Sequence, residues 1–247
     1  MGNRPTFTLM VFTLNEIDGM RVIMPRIRRD WVDQILVVDG KSTDGTIEYA
    51  RENGYEIYIQ QRKGPRMAYN EAMAHVRGDI VITFSPDGNS IPELIPPLVE
   101  RMREGYDMVI VSRYLSGARS ADDSLLTGFG NWMFRRLING LHRGRYTDPM
   151  VLYRAWRKSL FYELDLHLDE SHAPEKWFGT VISIEPLLSV RAARRRLRVA
   201  EIPGDEPPRI GGVAKLQPFR WGGAYFAQVV REAFRPGPRK SDQGLTT

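Results

Sequence analysis

At 247 residues, with 42% hydrophobic and 26% charged side chains, the chain is long and apolar enough to bury a sizeable core, which excludes intrinsic disorder and a fibrous repeat. It contains no cysteine, so a disulfide scaffold, a thiolate metal site and a cysteine nucleophile are excluded as well. The formal charge of +5 suits an anionic partner (a nucleotide, a phosphorylated lipid, an acidic membrane face or nucleic acid) without choosing among them.

The first strand-like run is 7–13, entered without the apolar segment of a signal peptide. Ile17, Met20, Ile23, Met24 and Ile27 then recur at the three-and-four spacing of a helical face, so 17–28 is expected to be helical. Strands follow at 34–39, 56–60, 79–85 and 107–112, several of them rich in Val and Ile as strands buried on both faces require. Helices at 44–52, 66–76 and 92–103 fill the gaps, the last capped by Asn89 or Ser90 with Pro92 and Glu93 in its first turn. Strands alternating with crossover helices predict an α/β fold, a mostly parallel central sheet flanked by helices.

Past residue 112 the rhythm changes. A polar loop at 116–124, suited to covering a site, leads into an amphipathic helix at 125–141; 181–196 reads as helix, 197–202 as strand and 203–212 as a Pro/Gly-rich loop. Much of the excess charge lies in the basic run 191–198 (RAARRRLR), of which the helix 191–196, with the amphipathic segment 224–234, suits contact with an anionic membrane surface. No stretch approaches the ~20 apolar residues of a membrane span, so the expected location is the cytoplasm, with peripheral contact at the inner face of a membrane. One domain is expected over 1–235, with halves 7–115 and 116–235, followed by a disordered tail over 236–247.

In an open parallel sheet, ligands gather outside the carboxyl ends of the strands. Four such ends carry polar clusters here: Thr13-Leu14-Asn15-Glu16, Asp39 to Thr46 (DGKSTDGT), Ser85-Pro86-Asp87-Gly88-Asn89 and Ser112-Arg113-Tyr114. A dinucleotide-binding fold would place G-x-G-x-x-G after its first strand; that fingerprint and the P-loop are both missing. The glycine-rich first loop of a nucleotidyltransferase is not visible either. No nucleic-acid reading element accompanies the basic charge, so no nucleic-acid partner is expected. His75, His142, His167 and His172 fall at no ligand spacing.

TLNE at 13–16, VVDGKSTDGT at 37–46, Arg62-Lys63-Gly64, FSPDGN at 84–89 and VSRY at 111–114 resemble, in order and spacing, the successive signatures of family 2 glycosyltransferases. The similarity covers roughly 7–120. It continues toward the dolichyl- or polyprenyl-phosphate mannosyltransferase-like branch through YTDPMVLYRAW at 146–156 and RVAEIPGDEPPRIGGVAK at 198–215. The resemblance implies a GT-A type nucleotide-diphospho-sugar transferase fold. It also implies an inverting transfer of a hexose from a GDP- or UDP-linked donor to an acceptor, a polyprenyl phosphate by preference. A hydroxyl of a soluble metabolite or glycan is the alternative acceptor, and a degenerate protein that only binds nucleotide sugar is a further one.

On this resemblance Thr13, Asn15, Glu16 and Asp39 belong to the donor site, the two carboxylates accepting hydrogen bonds from base or ribose. The competing reading gives Asp39 and Asp44 the mere organisation of a turn, Asp44 as a helix cap. Lys63 and Arg66 are candidate donor cations. Asp87 stands where the family carries its acidic metal motif, as a ligand for Mg²⁺ or Mn²⁺ whose charge would offset that on the departing diphosphate. Relatives usually read Asp-x-Asp there; Ser85-Pro86-Asp87 lacks one carboxylate, so a weaker hold on metal is expected.

Arg113 is expected near a donor or acceptor phosphate, which its planar fork suits, and Arg209 with Lys215 resembles the phosphate-binding end of the lipid-phosphate branch. A prenyl monophosphate has a second pKa near ~6 and needs no general base. An alcohol would need a carboxylate, for which Asp148 is the first candidate and Glu185, before Pro186, the second. Trp177 and Phe178 suit either a sugar face or the core.

Overall fold

The computed structural model describes residues 4–211 and 218–235. The strands are β1 (Phe7–Thr13), β2 (Gln34–Asp39), β3 (Glu56–Ile59), β4 (Ile80–Phe84), β5 (Met108–Ser112), β6 (Arg154–Arg157) and β7 (Val199–Pro203), and they form a sheet in the order β3-β2-β1-β4-β6-β5-β7. The α-helices are α1 (Ile17–Ile23), α2 (Thr46–Glu52), α3 (Pro65–Ala72), α4 (Ile95–Arg103), α5 (Leu125–His142), α6 (Leu160–Glu163), α7 (Pro174–Phe178), α8 (Glu185–Arg194) and α9 (Pro218–Phe234).

Side chains alternate across each strand, and the sheet therefore feeds two cores. Met10, Leu36, Val38, Val81, Met108, Ile110 and Trp156 face α3, α5, α8 and α9. Leu9, Val11, Ile35, Val37, Ile82, Val109 and Ala155 face the opposite way, against α1 and α4. The register places Thr13 beside Asp39 and Ser112 beside Pro203, so the strand ends that carry polar residues lie along one edge.

Two expectations about the elements change. The sheet is mostly parallel, but β6 runs antiparallel to both of its neighbours, β4 and β5, in its middle. Arg-Ala-Trp-Arg is too short and too charged to stand out as a strand, yet Arg154 is fully buried there: it donates to Ser189 Oγ at 2.8 Å and to Pro149 O at 3.1 Å. Neither Asn89 nor Ser90 caps a helix. Pro92–Leu94 forms a 3₁₀ turn without a side-chain cap, and the Asn89 amide donates instead to Asp122 Oδ2 at 2.9 Å.

The basic run is a surface only in part. Arg191 lies inside, its fork on Glu232 of α9 at 2.7 Å, with Ser171 Oγ at 2.9 Å, and Arg194 also reaches Glu232, at 3.3 Å. Arg195, Arg196 and Arg198 remain exposed. No helix among the described residues is long and apolar enough to cross a membrane. The tail 236–247 lies outside the described residues.

Candidate active site

At the ends of β1 and β2 the chain folds back on itself. Asp39, fully buried, accepts hydrogen bonds from Thr13 Oγ1 at 2.7 Å, Ser42 Oγ at 2.6 Å and Ser42 N at 2.7 Å. Asn15, in the left-handed region at φ 53°, accepts at Oδ1 from Thr43 N at 2.8 Å and donates its own N–H to Ser42 Oγ at 2.8 Å. Asp44 receives Ile17 N at 3.0 Å and Thr46 N at 3.0 Å, joining the starts of α1 and α2. Burial works against its charge, but these hydrogen bonds, with that of the Thr46 hydroxyl, hold its carboxyl below the usual range. The first two clusters are thus one braced double loop.

Glu16 and Asp87 lie on either side of one guanidinium. Arg209 Nη2 is 2.8 Å from Asp87 Oδ2 and its Nη1 is 3.3 Å from Glu16 Oε1. Asp87 also accepts Asn89 N at Oδ1, at 3.1 Å, and its carbonyl accepts Ile210 N at 2.6 Å. The strap that brings Arg209 here leaves β7 at Gly204. A Cβ at that glycine would stand 2.3 Å from Val111 Cγ1, so only glycine passes.

The same strap reaches a second arginine. Arg113, at the end of β5, meets Asp148 in a two-point ion pair, Nε to Oδ2 at 2.6 Å and Nη2 to Oδ1 at 3.0 Å, while its Nη1 is 3.1 Å from Glu206. Burial opposes the charge on Arg113, but hydrogen bonds and charge from Asp148, then charge from Glu206, raise its pKa above the ordinary value. Glu206 is shifted the other way from an exposed carboxylate: burial raises its pKa despite Arg113 and the hydroxyl of Ser120. Glu201 on β7 fixes the Asp148 turn by accepting Thr147 N at 2.9 Å and Asp148 N at 3.1 Å. The edge therefore holds two arginines, each between two carboxylates.

Residues 10–164 match the family profile described as "Glycosyl transferase family 2". The chain belongs to glycosyltransferase family 2. Glycosyltransferase AglJ of Haloferax volcanii is 28% identical to it over 228 residues, covering 92% of this chain and 71% of that relative. The dolichyl-phosphate hexose transferase of the same organism is 29% identical, covering 89% and 90% of the two chains. The undecaprenyl-phosphate mannosyltransferase of Micrococcus luteus is 29% identical, covering 94% of each. Among solved structures, glucosyl-3-phosphoglycerate synthase from Mycobacterium tuberculosis, in complex with Mn²⁺, UDP and phosphoglyceric acid, superposes with a TM-score of 0.69 at 20% identity, over 95% of this chain and 80% of that one. That likeness shows the GT-A fold.

In this glycosyltransferase the expected site residues divide. Thr13, Asn15, Glu16, Asp39, Asp87, Arg113, Asp148 and Arg209 all gather at the carboxyl edge of the sheet. Arg66 does not offer a free cation. It is buried, its fork taken by Glu175 at 2.7 Å and Asp169 at 2.8 Å, where it locks the start of α3 to α7. Lys63 is exposed in the turn after β3. Glu185 is buried in the core and accepts the hydroxyl of Tyr69. Phe178 packs into the core, its ring 2.4 Å from where a Cβ on Gly223 would stand, while Trp177 is exposed. Lys215 lies outside the described residues. The sequence does not single out Glu201 and Glu206: both sit in the RVAEIPGDEPPR stretch, which carries no acidic motif.

Among the described residues no three His, Cys, Asp or Glu side chains are arranged to hold an ion. The Asp87 carboxylate nevertheless already carries a cation, the Arg209 guanidinium, and Glu16 faces that same cation. One or two carboxylates suffice for a hard divalent ion when a donor's phosphate oxygens complete the shell, so the residues fit.

Proposed function

We propose that this enzyme transfers a hexose, with inversion, from a GDP- or UDP-linked donor to a polyprenyl phosphate. The observation that carries the acceptor is the two-point Arg113–Asp148 ion pair at 2.6 and 3.0 Å. A hydroxyl acceptor would need a carboxylate base at its oxygen. Asp148 is 1% exposed and committed to Arg113, and Glu185 is in the core. A phosphate acceptor is largely deprotonated at neutral pH and needs cations instead. Arg113, its plane fixed by the two-point pair with Asp148, would supply one once the phosphate takes the place of Glu206 at Nη1. Relatives that carry dolichyl- and undecaprenyl-phosphate in their names, matched over nearly their whole length, support the same choice.

In the proposed step an acceptor phosphate oxygen attacks the anomeric carbon. The bond from that carbon to the donor diphosphate breaks, and its electron pair leaves with the nucleoside diphosphate. A divalent ion held by Asp87 would offset the charge gathering on that leaving group. The Mn²⁺ and UDP in the glucosyl-3-phosphoglycerate synthase complex support the use of a divalent ion on this fold. Thr13, Asp39 and Ser42 keep the floor of the donor side rigid, so Asp39 acts through the loop it braces.

A lipid-borne acceptor calls for a membrane-facing surface, and α5 is a better one than the basic run. A capping box starts it, Ser124 Oγ accepting Thr127 N while Thr127 Oγ1 accepts Ser124 N. Its first turns expose Leu125, Leu126, Phe129 and Trp132, beside Arg136, whose guanidinium lies 5.6 Å from the Trp132 ring. An apolar face edged by arginine suits an anionic bilayer surface.

The test is a transfer assay with GDP-mannose, UDP-glucose and related donors against a prenyl phosphate, the matching prenyl alcohol and soluble sugars, read by mass spectrometry. Product from the prenyl phosphate alone is expected. Product from a hydroxyl acceptor with none from the phosphate would replace this reading.

A further inference from the structure

Arg209 is an unusual thing to find on Asp87, because the family's chemistry places a divalent ion there. We propose that the Glu16–Asp87 pair is one cation site with two alternative occupants, the Arg209 guanidinium in the donor-free enzyme and a divalent ion once the strap 204–211 has withdrawn it. The proposal rests on reading Asp87 as the metal ligand, and it adds Glu16 as the carboxylate that Ser85 does not provide.

Three observations carry it. The guanidinium contacts both carboxylates, at 2.8 Å to Asp87 and 3.3 Å to Glu16, so one positive charge bridges the two acids. Both are nearly buried, Asp87 at 5% and Glu16 at 7% exposure, and two carboxylates in so little water repel one another unless a cation stands between them.

What covers Asp87 is the strap itself. Ile210 N donates to Asp87 O at 2.6 Å, and a Cβ on Gly88, at φ 100°, would meet Ile210 Cγ1 at 2.8 Å, Ile210 N at 3.0 Å and Pro208 O at 3.1 Å. In this place the strap sets its own guanidinium against the Asp87 carboxylate. Pro207 and Pro208 stiffen the segment, so Arg209 and Ile210 leave together. The internal cation thus competes with metal, and the apparent metal affinity falls by the fraction of molecules in which the strap is open.

Binding of Mn²⁺ alone, without nucleotide, is followed by the electron paramagnetic resonance signal of the free ion, for the wild type and for Arg209→Gln, Arg209→Lys and Arg209→Gln/Glu16→Gln. Arg209→Gln should bind Mn²⁺ at least about tenfold more tightly than the wild type. Arg209→Lys, which keeps the charge, should stay weak, and the added Glu16→Gln change should cancel the gain. Unchanged tryptophan emission checks that each variant is folded. The inference is overturned if Arg209→Gln binds Mn²⁺ no better than the wild type. A parallel titration with UDP or GDP present separates the causes: tight Mn²⁺ binding there leaves Asp87 as the ligand and removes only the competition, while no binding there removes both.

Discussion

Two arginine–carboxylate clusters in this molecule use the same groups for opposite ends. At the carboxyl edge Arg209 meets Asp87 and Glu16 from a strap, its side chain 24% exposed. Beneath the sheet Arg191 meets Glu232, at 8% and 2% exposure, and further bonds to Ser171 Oγ and the backbone carbonyls of Leu164 and Asp165 surround the pair. The first can open with the movement of one loop; the second cannot open without lifting α9 from α8. What distinguishes a movable contact from a fixed one here is the number of independent elements that enclose it.

That contrast can be broken most visibly at the fixed end. Glu232→Gln leaves Arg191 buried without its charged partner and should cost about 3–5 kcal/mol of stability in urea unfolding, with donor binding unaffected at temperatures where the variant is folded. Burial opposes the Glu232 charge, but Arg191, Arg235 and Arg194 hold its pKa below the ordinary value. Its contribution is therefore present above the unfolded carboxylate pKa and is lost as pH falls through the lower folded value.

At the movable end the loss should be one of rate. Asp87→Asn is expected to lower turnover by roughly 10²–10³-fold with the fold retained. An equal fall in melting temperature and rate would instead make Asp87 a structural residue.

His172 sharpens the same comparison through pH. It is buried beside α9, its Nε2–H donating to Leu166 O at 2.9 Å while Nδ1 accepts from Gln228 at 3.1 Å, and burial pushes its pKa down to about 3 from 6.5. The unfolded chain then takes up the proton first, so stability is full above about pH 6.5 and falls as pH drops toward 3, by roughly 3 kcal/mol at pH 4.5. His172→Gln should flatten that slope in a melting series from pH 7.5 to 4.5, and a wild type equally stable across that range would contradict it. Smallest is Arg113→Lys: losing the two-point grip on Asp148 should raise the acceptor KM about tenfold while the nucleotide Kd stays the same.

The sequence is most readable where a residue's partner is close in the chain or set by strand register. Thr13, Asp39 and Ser42 come together because parallel β1 and β2 end side by side, and the polar strand ends announce that edge in advance. Arg66, Arg191 and Arg154 are misread or unseen because the carboxylates and carbonyls that claim them arrive from far along the chain: Glu175 for Arg66, Glu232 for Arg191, Pro149 and Ser189 for Arg154. An arginine in a basic run looks solvated until its burial is known. The reversed strand β6 was invisible for a related reason, since two of its four residues are arginines and its apolar pair, Ala155 and Trp156, points to opposite faces of the sheet.

That reversed strand has a consequence for how this enzyme can change. A parallel strand offers the catalytic edge only the loop that leaves it, whereas β6, running the other way between β4 and β5, offers the loop that enters it. The turn bearing Asp148 therefore arrives from the centre of the sheet, flanked by both halves of the site. If Asp148 and Arg113 face the acceptor as proposed, insertions or deletions between α5 and β6 would reshape the acceptor side while every strand pairing is kept, so acceptor choice could diverge among descendants of this chain with the donor side left untouched.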